Sequence, residues 1–243
     1  MSAPDRFAPC ALIPIYNHGS TIARTVQGLR AHGLPVVVVD DGSDAATRDV
    51  LDALDRDEPG MTLIRLPHNQ GKGRALAAGL RAARQAGYSH ALQIDADGQH
   101  DTDDAPRFVE EARIFPHAMV CGSPVYDDSV PRGRLYGRYV THVCVWIETL
   151  SLAIRDSMCG YRLYPLEATC AELDRAPVPA RMDFDTEIAV RLFWRGVPVR
   201  NLSTRVIYPE NGLSHFRMLR DNLRISAMRS EEHTSELQSL RHL

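Results

Sequence analysis

Four consecutive valines, residues 36–39, constrain the fold more than any other feature of the sequence. An uninterrupted β-branched run is typical of a central strand in a parallel sheet, where both faces are buried. Similar apolar runs lie before and after it, separated by segments of helical period; the predicted strands are residues 11–16, 36–39, 61–66 and 91–94. This β-α-β-α-β-α-β order, in units of about 25 to 30 residues, predicts an α/β fold with a Rossmann-like, mostly parallel sheet and helices on both faces.

The first predicted helix has clear limits, whereas the second half of the chain is less regular. Ser20 is the expected N-cap of a helix that buries Ile22, Val26 and Leu29 and ends at Gly33. The elements expected later are helices at 108–115, 139–154, 183–194 and 215–227, strands at 118–122 and 198–208, and an irregular turn and strand at 156–165.

Polar and acidic residues follow the strands at the edge where parallel sheets bind ligands. They are Tyr16, Asn17, Asp40, Asp41, Asp95 and Asp97. If strand geometry persists beyond residue 94, Asp95 and Asp97 point in the same direction. Paired carboxylates suit Mg²⁺ or Mn²⁺, with waters and substrate phosphates as the other ligands. The same Asp-x-Asp pattern is also compatible with a solvated acidic turn that closes a strand.

The stretch Asp40-Asp41-Gly42-Ser43 has two interpretations. A carboxylate here can accept a hydrogen bond from a ribose hydroxyl or a uracil N–H. Alternatively, the stretch is a capped turn in which Ser43 or Asp44 starts the next helix. Capping needs only one of these residues, which leaves Asp40 and Asp41 available for a nucleotide.

The stretch Gly71-Lys72-Gly73-Arg74 lies at a predicted helix start. There it can bring backbone N–H groups and two cations to a phosphate. It is not a Walker A loop, because glycine follows Lys72 where Ser or Thr is required.

Composition narrows the classes of function. A formal net charge of -3 gives no support for nucleic-acid binding. The five cysteines are scattered without a C-x-x-C pair, which is typical of reduced thiols in a cytosolic protein. The polar start MSAPDRFAPC is not a secretory signal, and no apolar run reaches the roughly 18 to 20 residues of a membrane span. We expect a cytoplasmic protein whose membrane contact, at the inner face, is peripheral.

Taken together, these motifs resemble those of the inverting family 2 glycosyltransferases, which have the type-A glycosyltransferase fold. The resemblance spans residues 11–222 and rests on Pro14-Ile15-Tyr16-Asn17, Asp40-Asp41-Gly42-Ser43, Gly71-Lys72-Gly73-Arg74-Ala75-Leu76, Asp95-Ala96-Asp97-Gly98-Gln99-His100-Asp101 and Gly122-Ser123. The fourth motif and Asp156-Ser157-Met158-Cys159-Gly160-Tyr161-Arg162 look most like the polyprenyl- and dolichyl-phosphate sugar transferase branch and its bacterial lipid-associated relatives. Three residues depart from the family pattern: His18 replaces a glutamate, Pro124 an arginine and His215 a lysine.

The resemblance implies a nucleotide-diphosphate sugar as donor and a divalent ion, Mg²⁺ or Mn²⁺, as cofactor. Asp97 would hold this ion, with Asp95 and Gln99 nearby, and would thereby take part in catalysis. The residues expected to bind the nucleotide sugar are Pro14, Tyr16, Asn17, Asp40, Asp41, Lys72, Arg74 and Asp95.

The acceptor remains open between a hydroxyl and a phosphate. A hydroxyl needs a general base, for which Asp185 and Glu187 are the candidates, although a spacing of two puts them on different helix faces. A lipid phosphate is already anionic and needs no base, so Arg162 and Arg191 are candidates to bind it. Arg191 also lies four residues after Glu187, a spacing that predicts an ion pair within the helix.

The sequence therefore predicts a metal-dependent inverting glycosyltransferase that acts on a lipid-linked or other small acceptor in lipid or cell-envelope glycan biosynthesis. One alternative, motivated by His18 and Pro124, is a sugar-nucleotide-binding protein without transferase activity. A nucleotidyltransferase is another, but such enzymes typically carry a Gly-rich loop with Arg and Lys after the first strand, and residues 14–19 supply none.

Residues 1–228 are expected to form one glycosyltransferase domain. Its nucleotide-sugar half comprises residues 9–124 and its acceptor half residues 125–228. Residues 229–239, RSEEHTSELQS, resemble the translation of a sequencing-library adapter, so we interpret residues 229–243 as a non-native tail. The alternative is an ordinary polar helix with Leu237 and Leu240 on one side.

Overall fold

The computed structural model describes residues 7–125 and 132–206. Within these ranges the strands are β1 Pro9–Ile15, β2 Val36–Asp40, β3 Met61–Arg65, β4 His90–Gln93, β5 Met119–Val125, β6 Arg162–Pro165 and β7 Val199–Arg205. The α-helices are α1 Gly19–Ala31, α2 Ala45–Asp57, α3 Lys72–Gln85, α4 Ala105–Ile114, α5 Arg132–Thr149, α6 Leu166–Arg175 and α7 Phe184–Trp194. A short 3₁₀ turn, Thr102–Asp104, precedes α4.

These strands form one sheet in the order β3-β2-β1-β4-β6-β5-β7. β1 pairs in parallel with β2 and β4, and β2 pairs in parallel with β3. β6 is antiparallel to β4 and β5, whereas β5 and β7 are parallel. The α/β architecture with a mostly parallel sheet, expected from the sequence, is confirmed.

The four valines of β2 are buried on both faces of the sheet, as their sequence predicts. Val37 and Val39 belong to the core that β2 shares with α3, α6 and α7. Val36 and Val38 belong to the core on the opposite face, with side chains from α1, α2 and α4. Because each such side chain contributes about 1.5–3 kcal/mol when buried, the alternation stabilises helices on both faces.

The N-cap of α2 is one of those expected from the sequence, but the N-cap of α1 is not. Asp44 caps α2, since its Oδ1 accepts a hydrogen bond from the Thr47 N–H at 2.8 Å. The expectation that Ser20 caps α1 is wrong: α1 begins at Gly19, and no side chain caps it. Asn17 has a φ of 58°, so the chain has already turned before it reaches Ser20.

The second half differs more from the sequence-based expectation. α5 begins at Arg132, not at residue 139, and ends where Leu150 takes a φ of 48°. α6 was not expected at all, and β5 extends to Val125. No helix in residues 7–125 and 132–206 is long and apolar enough to cross a bilayer. The helix expected at 215–227 and the tail at 229–243 lie outside the described residues.

Candidate active site

The turn after β4 carries Asp95 and Asp97. β4 ends at Gln93, so strand geometry does not persist to Asp95, and the alternation of a strand does not set the direction of these carboxylates. Instead, Asp97 Oδ1 accepts a hydrogen bond from the backbone N–H of Gln99 at 3.0 Å, which orients the side chain locally. Both acids nevertheless lie just beyond the carboxyl end of β4, next to β1 in the sheet.

Lys72, the only lysine in the chain, lies between two carboxylates. Its Nζ is 2.7 Å from Asp95 Oδ1 and 2.8 Å from Asp185 Oδ2. Burial alone would lower the pKa of Lys72, but Asp185 and Asp95 outweigh that effect and raise it above its ordinary value. Burial would likewise raise the pKa of Asp95, yet the Lys72 ammonium holds it below its usual range. Lys72 thus forms a charged link between the turn after β4 and α7, whereas the sequence predicted a phosphate contact.

Gly160 leaves room for the Asp95 carboxylate. A Cβ built on Gly160 would lie 2.2 Å from Asp95 Oδ2 and 2.8 Å from Oδ1. Such distances are far below van der Waals contact, so a side chain at residue 160 would displace the carboxylate. The segment before β6 therefore forms one wall around Asp95.

The glycines at the start of α3 allow a close approach of the segment before α7. A Cβ on Gly73 would lie 2.2 Å from the Pro179 carbonyl oxygen, and one on Gly71 would lie 2.3 Å from that of Ala180. The Arg74 N–H also donates a hydrogen bond to the Ala180 oxygen at 3.3 Å. The Gly-Lys-Gly-Arg stretch therefore makes an internal contact with the segment before α7. The sequence had predicted only phosphate binding for this stretch.

Asp41 connects the end of β2 to the loop before α3. Its two oxygens accept hydrogen bonds from the Gln70 N–H at 2.7 Å and the Gly71 N–H at 2.8 Å. Burial raises the pKa of Asp41, and the two N–H groups offset this only in part. The carboxylate that was expected to bind the nucleotide thus also fixes the loop that leads to Lys72.

Asp40 and Asn17 hold the turn between β2 and α2. Asp40 Oδ1 accepts a hydrogen bond from the Ser43 N–H at 2.9 Å, and Oδ2 lies 3.7 Å from Arg65 Nε. Asn17 donates its backbone N–H to Ser43 Oγ at 3.1 Å and accepts one from the Asp44 N–H at 2.8 Å. Both residues therefore set the shape of this edge of the sheet.

The side chains at this edge differ in their access to solvent. Pro14 is buried inside β1, while Tyr16, directly after β1, is partly exposed. Arg74 is exposed at the start of α3. Arg181, which the sequence did not single out, is exposed as well, and its Cγ lies 3.1 Å from the position of a Cβ on Gly71. Two cations thus flank the start of α3.

The residues expected at the acceptor are paired inside the protein. Arg162 is fully buried and donates hydrogen bonds to the carbonyl oxygens of Asp185 and Ser157. A buried guanidinium cannot reach an acceptor phosphate, so the structure corrects its expected role to an internal contact. Arg191 forms an ion pair with Glu187, as the spacing of four residues allowed.

Each carboxylate oxygen of Asp185 accepts a hydrogen bond from a side chain. Oδ1 accepts a hydrogen bond from Gln93 Nε2 at 2.8 Å, and Oδ2 accepts one from Lys72 Nζ at 2.8 Å. The Tyr164 hydroxyl donates to Gln93 Oε1 at 3.1 Å. Sequence reasoning missed Gln93 and Tyr164; the available signal was an amide inside an otherwise apolar strand.

Asp97 is the acid that fits a divalent cation. Among the described residues, no three or more His, Cys, Asp or Glu side chains form a ready-made metal centre. Asp97 is partly exposed, and the Gln99 N–H contacts only one of its oxygens. Burial, and then the charge of Asp95, raise the pKa of Asp97, so a cation nearby would stabilise its ionised form. One carboxylate completed by phosphate oxygens and waters is a common Mg²⁺ arrangement.

Two solved glycosyltransferase structures share this fold. Glucosyl-3-phosphoglycerate synthase from Mycobacterium tuberculosis, in complex with Mn²⁺, UDP-glucose and phosphoglyceric acid, matches with a TM-score of 0.68 over 90% of this chain and 77% of that one, at 16% identity. Mannosyltransferase PcManGT from Pyrobaculum calidifontis, in complex with GDP-mannose and Mn²⁺, matches with a TM-score of 0.58 over 84% and 57%, at 18% identity. The type-A glycosyltransferase fold is therefore confirmed.

Named enzymes match the sequence as well. Undecaprenyl-phosphate mannosyltransferase from Micrococcus luteus is 30% identical over 163 residues, which are 63% of this chain and 64%, less than two thirds, of that protein. UDP-N-acetylglucosamine–dolichyl-phosphate N-acetylglucosaminyltransferase from Methanococcus voltae is 30% identical over 173 residues, 65% of this chain and 69% of that one. The family model described as Glycosyl transferase family 2 matches residues 10–170. Because this match covers more than half of the chain, the protein belongs to glycosyl transferase family 2.

Proposed function

We propose that the protein transfers a sugar from a nucleoside diphosphate sugar to a lipid phosphate, with inversion at the anomeric carbon. Asp97 would hold Mg²⁺ or Mn²⁺ beside the donor diphosphate. The names of the two relatives, which specify undecaprenyl phosphate and dolichyl phosphate, support this acceptor class. The partly exposed carboxylate of Asp97 at the strand-end edge supports the metal.

The contacts that Asp185 and Glu187 each make with other side chains favour a phosphate over a hydroxyl as acceptor. A hydroxyl acceptor needs a general base within hydrogen-bond reach. Asp185 is 3% exposed and accepts hydrogen bonds on both oxygens, while Glu187 is 3% exposed and ion-paired with Arg191. A phosphate monoester is largely ionised at neutral pH, so it can attack without a base. Neither carboxylate is then needed as a general base.

The proposed reaction balances without a further co-reactant. An oxygen of the acceptor phosphate forms the new bond to the anomeric carbon, and the bond from that carbon to the nucleoside diphosphate breaks. A bound Mg²⁺ or Mn²⁺ supplies charge neutralisation for the leaving diphosphate. Arg74 and Arg181 are exposed at the start of α3, where they can contact phosphate oxygens.

Polyprenyl phosphate and a polyprenol of equal length form a matched pair of acceptors for the test. With radiolabelled UDP- or GDP-sugars and Mn²⁺, we expect label in the lipid fraction only with the phosphate, and an inverted anomeric carbon by NMR. Equal transfer to the polyprenol would contradict a reaction without a base. Binding of the sugar nucleotide without transfer to either lipid would instead favour a binding protein without transferase activity.

A lipid phosphate lies at a bilayer surface, and α5 carries an apolar face suited to that surface. Tyr139 is 60% exposed and Ile147 66%, and just beyond the helix Leu150 is 91% and Leu152 70% exposed. Ile147 follows Tyr139 by about two helical turns, and Leu150 and Leu152 follow directly after the end of α5. We therefore infer that these exposed apolar side chains on α5 and directly after it make the peripheral membrane contact.

Co-sedimentation with vesicles containing anionic lipids tests this contact. Replacing Ile147 and Leu150 together by glutamate should weaken vesicle binding at least about tenfold, because two apolar side chains no longer leave water. Ile114→Glu is the matched control, since Ile114 is 58% exposed on α4, and it should bind like the unmodified protein. Equal losses in the control and the double variant would contradict a specific face.

A further inference from the structure

Gln93 carries a buried amide that the proposed reaction does not use. We propose that Gln93 is a positioning residue, which holds Asp185 in the orientation that keeps Lys72 on Asp95. The kinetic consequence of this inference rests on the proposed function. Its structural consequence can be measured without any sugar transfer.

A line of hydrogen bonds leads from the core to the candidate metal-binding turn. The Tyr164 hydroxyl donates to Gln93 Oε1 at 3.1 Å, and Gln93 Nε2 donates to Asp185 Oδ1 at 2.8 Å. Lys72 Nζ then donates to Asp185 Oδ2 at 2.8 Å and to Asp95 Oδ2 at 2.9 Å. These residues come from β6, β4, α7, α3 and the turn after β4, so the line joins four elements to the site.

The chemistry of the groups sets the direction of each bond. The Asp185 carboxylate only accepts hydrogen bonds, so the NH₂ of Gln93 faces it and the amide oxygen faces the Tyr164 hydroxyl. Gln93 and Tyr164 are fully buried, and Asp185 is 3% exposed. Water therefore cannot replace a missing donor, and each hydrogen bond restricts the orientation of the next side chain in the line.

Loss of the Gln93 amide should change the position of the Asp95 carboxylate, although Gln93 does not touch a substrate. Asp185 would keep Lys72 as its side-chain donor but could turn about its own torsions, because Oδ1 no longer has a partner. Lys72 would then lose a fixed position, and so would the Asp95 carboxylate that it holds. A displacement of about 1 Å at such a site can reduce the rate about 100-fold.

Two variants and one control separate positioning from stability. Gln93→Met keeps the length of the side chain but removes both polar atoms of the amide. Tyr164→Phe removes only the hydroxyl that orients the amide, and it serves as the second variant where Gln93→Met does not fold. Thr169→Val is the control, because the fully buried Thr169 hydroxyl donates to the Pro165 carbonyl oxygen at 2.8 Å, away from this line.

The only lysine in the chain makes the structural measurement specific. In protein labelled with ¹⁵N-lysine, the single side-chain ammonium signal belongs to Lys72. We expect this signal to shift or broaden in Gln93→Met, to change less in Tyr164→Phe, and to stay unchanged in Thr169→Val. An unchanged Lys72 signal in folded Gln93→Met would overturn the inference, whether or not the protein transfers sugar.

Kinetics give the second readout. We expect kcat to fall at least about tenfold in Gln93→Met while the donor KM stays within about twofold, since Asp97, Arg74 and Arg181, which are proposed to contact the donor, are not part of this line of hydrogen bonds. An unchanged kcat would overturn the positioning role. If the Lys72 signal responds but the unmodified protein transfers no sugar, the line of hydrogen bonds is supported and the proposed function is contradicted.

Discussion

Replacing Lys72 by methionine is expected to remove about 3–5 kcal/mol from the free energy of unfolding. Methionine keeps most of the length of the side chain but removes the ammonium. Asp185, 3% exposed, then keeps a buried carboxylate that has lost the ammonium bound to its Oδ2. Total stabilities are about 5–15 kcal/mol, so this single change would remove a large share of the whole.

Denaturation in guanidinium, followed by tryptophan fluorescence, measures this loss. Arg81→Met on the same helix is the matched control, because the Arg81–Asp174 pair is 41% and 60% exposed and should contribute only about 0–1 kcal/mol. Adding Asp185→Asn to Lys72→Met should restore much of the lost stability, since a neutral amide needs no cation. A loss below about 1 kcal/mol for Lys72→Met would mean that the buried pair does not stabilise the fold.

Local sequence was sufficient to predict the sheet that builds this site. The valines of β2 predicted burial on two faces, and the acids after β2 and β4 lie beyond the carboxyl ends of these strands, as expected. Asp44 was one of two candidates for the N-cap of α2, and it makes that contact. These features depend on neighbours within a few residues, which sequence patterns describe well.

Contacts between distant segments could not be predicted in this way. Lys72 and Asp185 are 113 residues apart in the sequence, and no local pattern indicates that a helix start will meet a helix on another segment. For the same reason, the sequence assigned Lys72 to a phosphate and Arg162 to an acceptor, whereas both side chains have partners inside the protein.

The antiparallel β6 illustrates a second limit. The four residues of β6 carry no sequence signal for the direction of the strand, because that direction is set only by pairing with β4 and β5. α6 follows directly after it, and a helix of ten residues between a proline and an irregular segment is easily taken for part of a loop. β6, paired with β4, places Tyr164 beside Gln93.

Replacing Asp97 by asparagine is expected to abolish the effect of Mn²⁺ on nucleotide binding. Asparagine keeps the oxygen that accepts the Gln99 N–H but removes the charge that a divalent cation requires. Burial and the charge of Asp95 raise the pKa of Asp97, so its ionised form is disfavoured in the folded protein without metal. The variant should therefore be at least as stable as the unmodified protein, and lost binding would not reflect unfolding.

Titration calorimetry with UDP and GDP, with and without Mn²⁺, measures this effect. We expect Mn²⁺ to tighten the binding of one nucleotide in the unmodified protein, and Asp97→Asn to reduce that affinity on the order of 100-fold while leaving binding without metal unchanged. Asp103→Asn is the matched control, because Asp103 is an 82% exposed acid that contacts His32. Nucleotide binding that does not depend on Mn²⁺ would contradict the metal site, and full Mn²⁺ dependence in Asp97→Asn would exclude Asp97 as its ligand. The nucleotide that binds more tightly would identify the donor class, and with it the sugars to test in the transfer reaction.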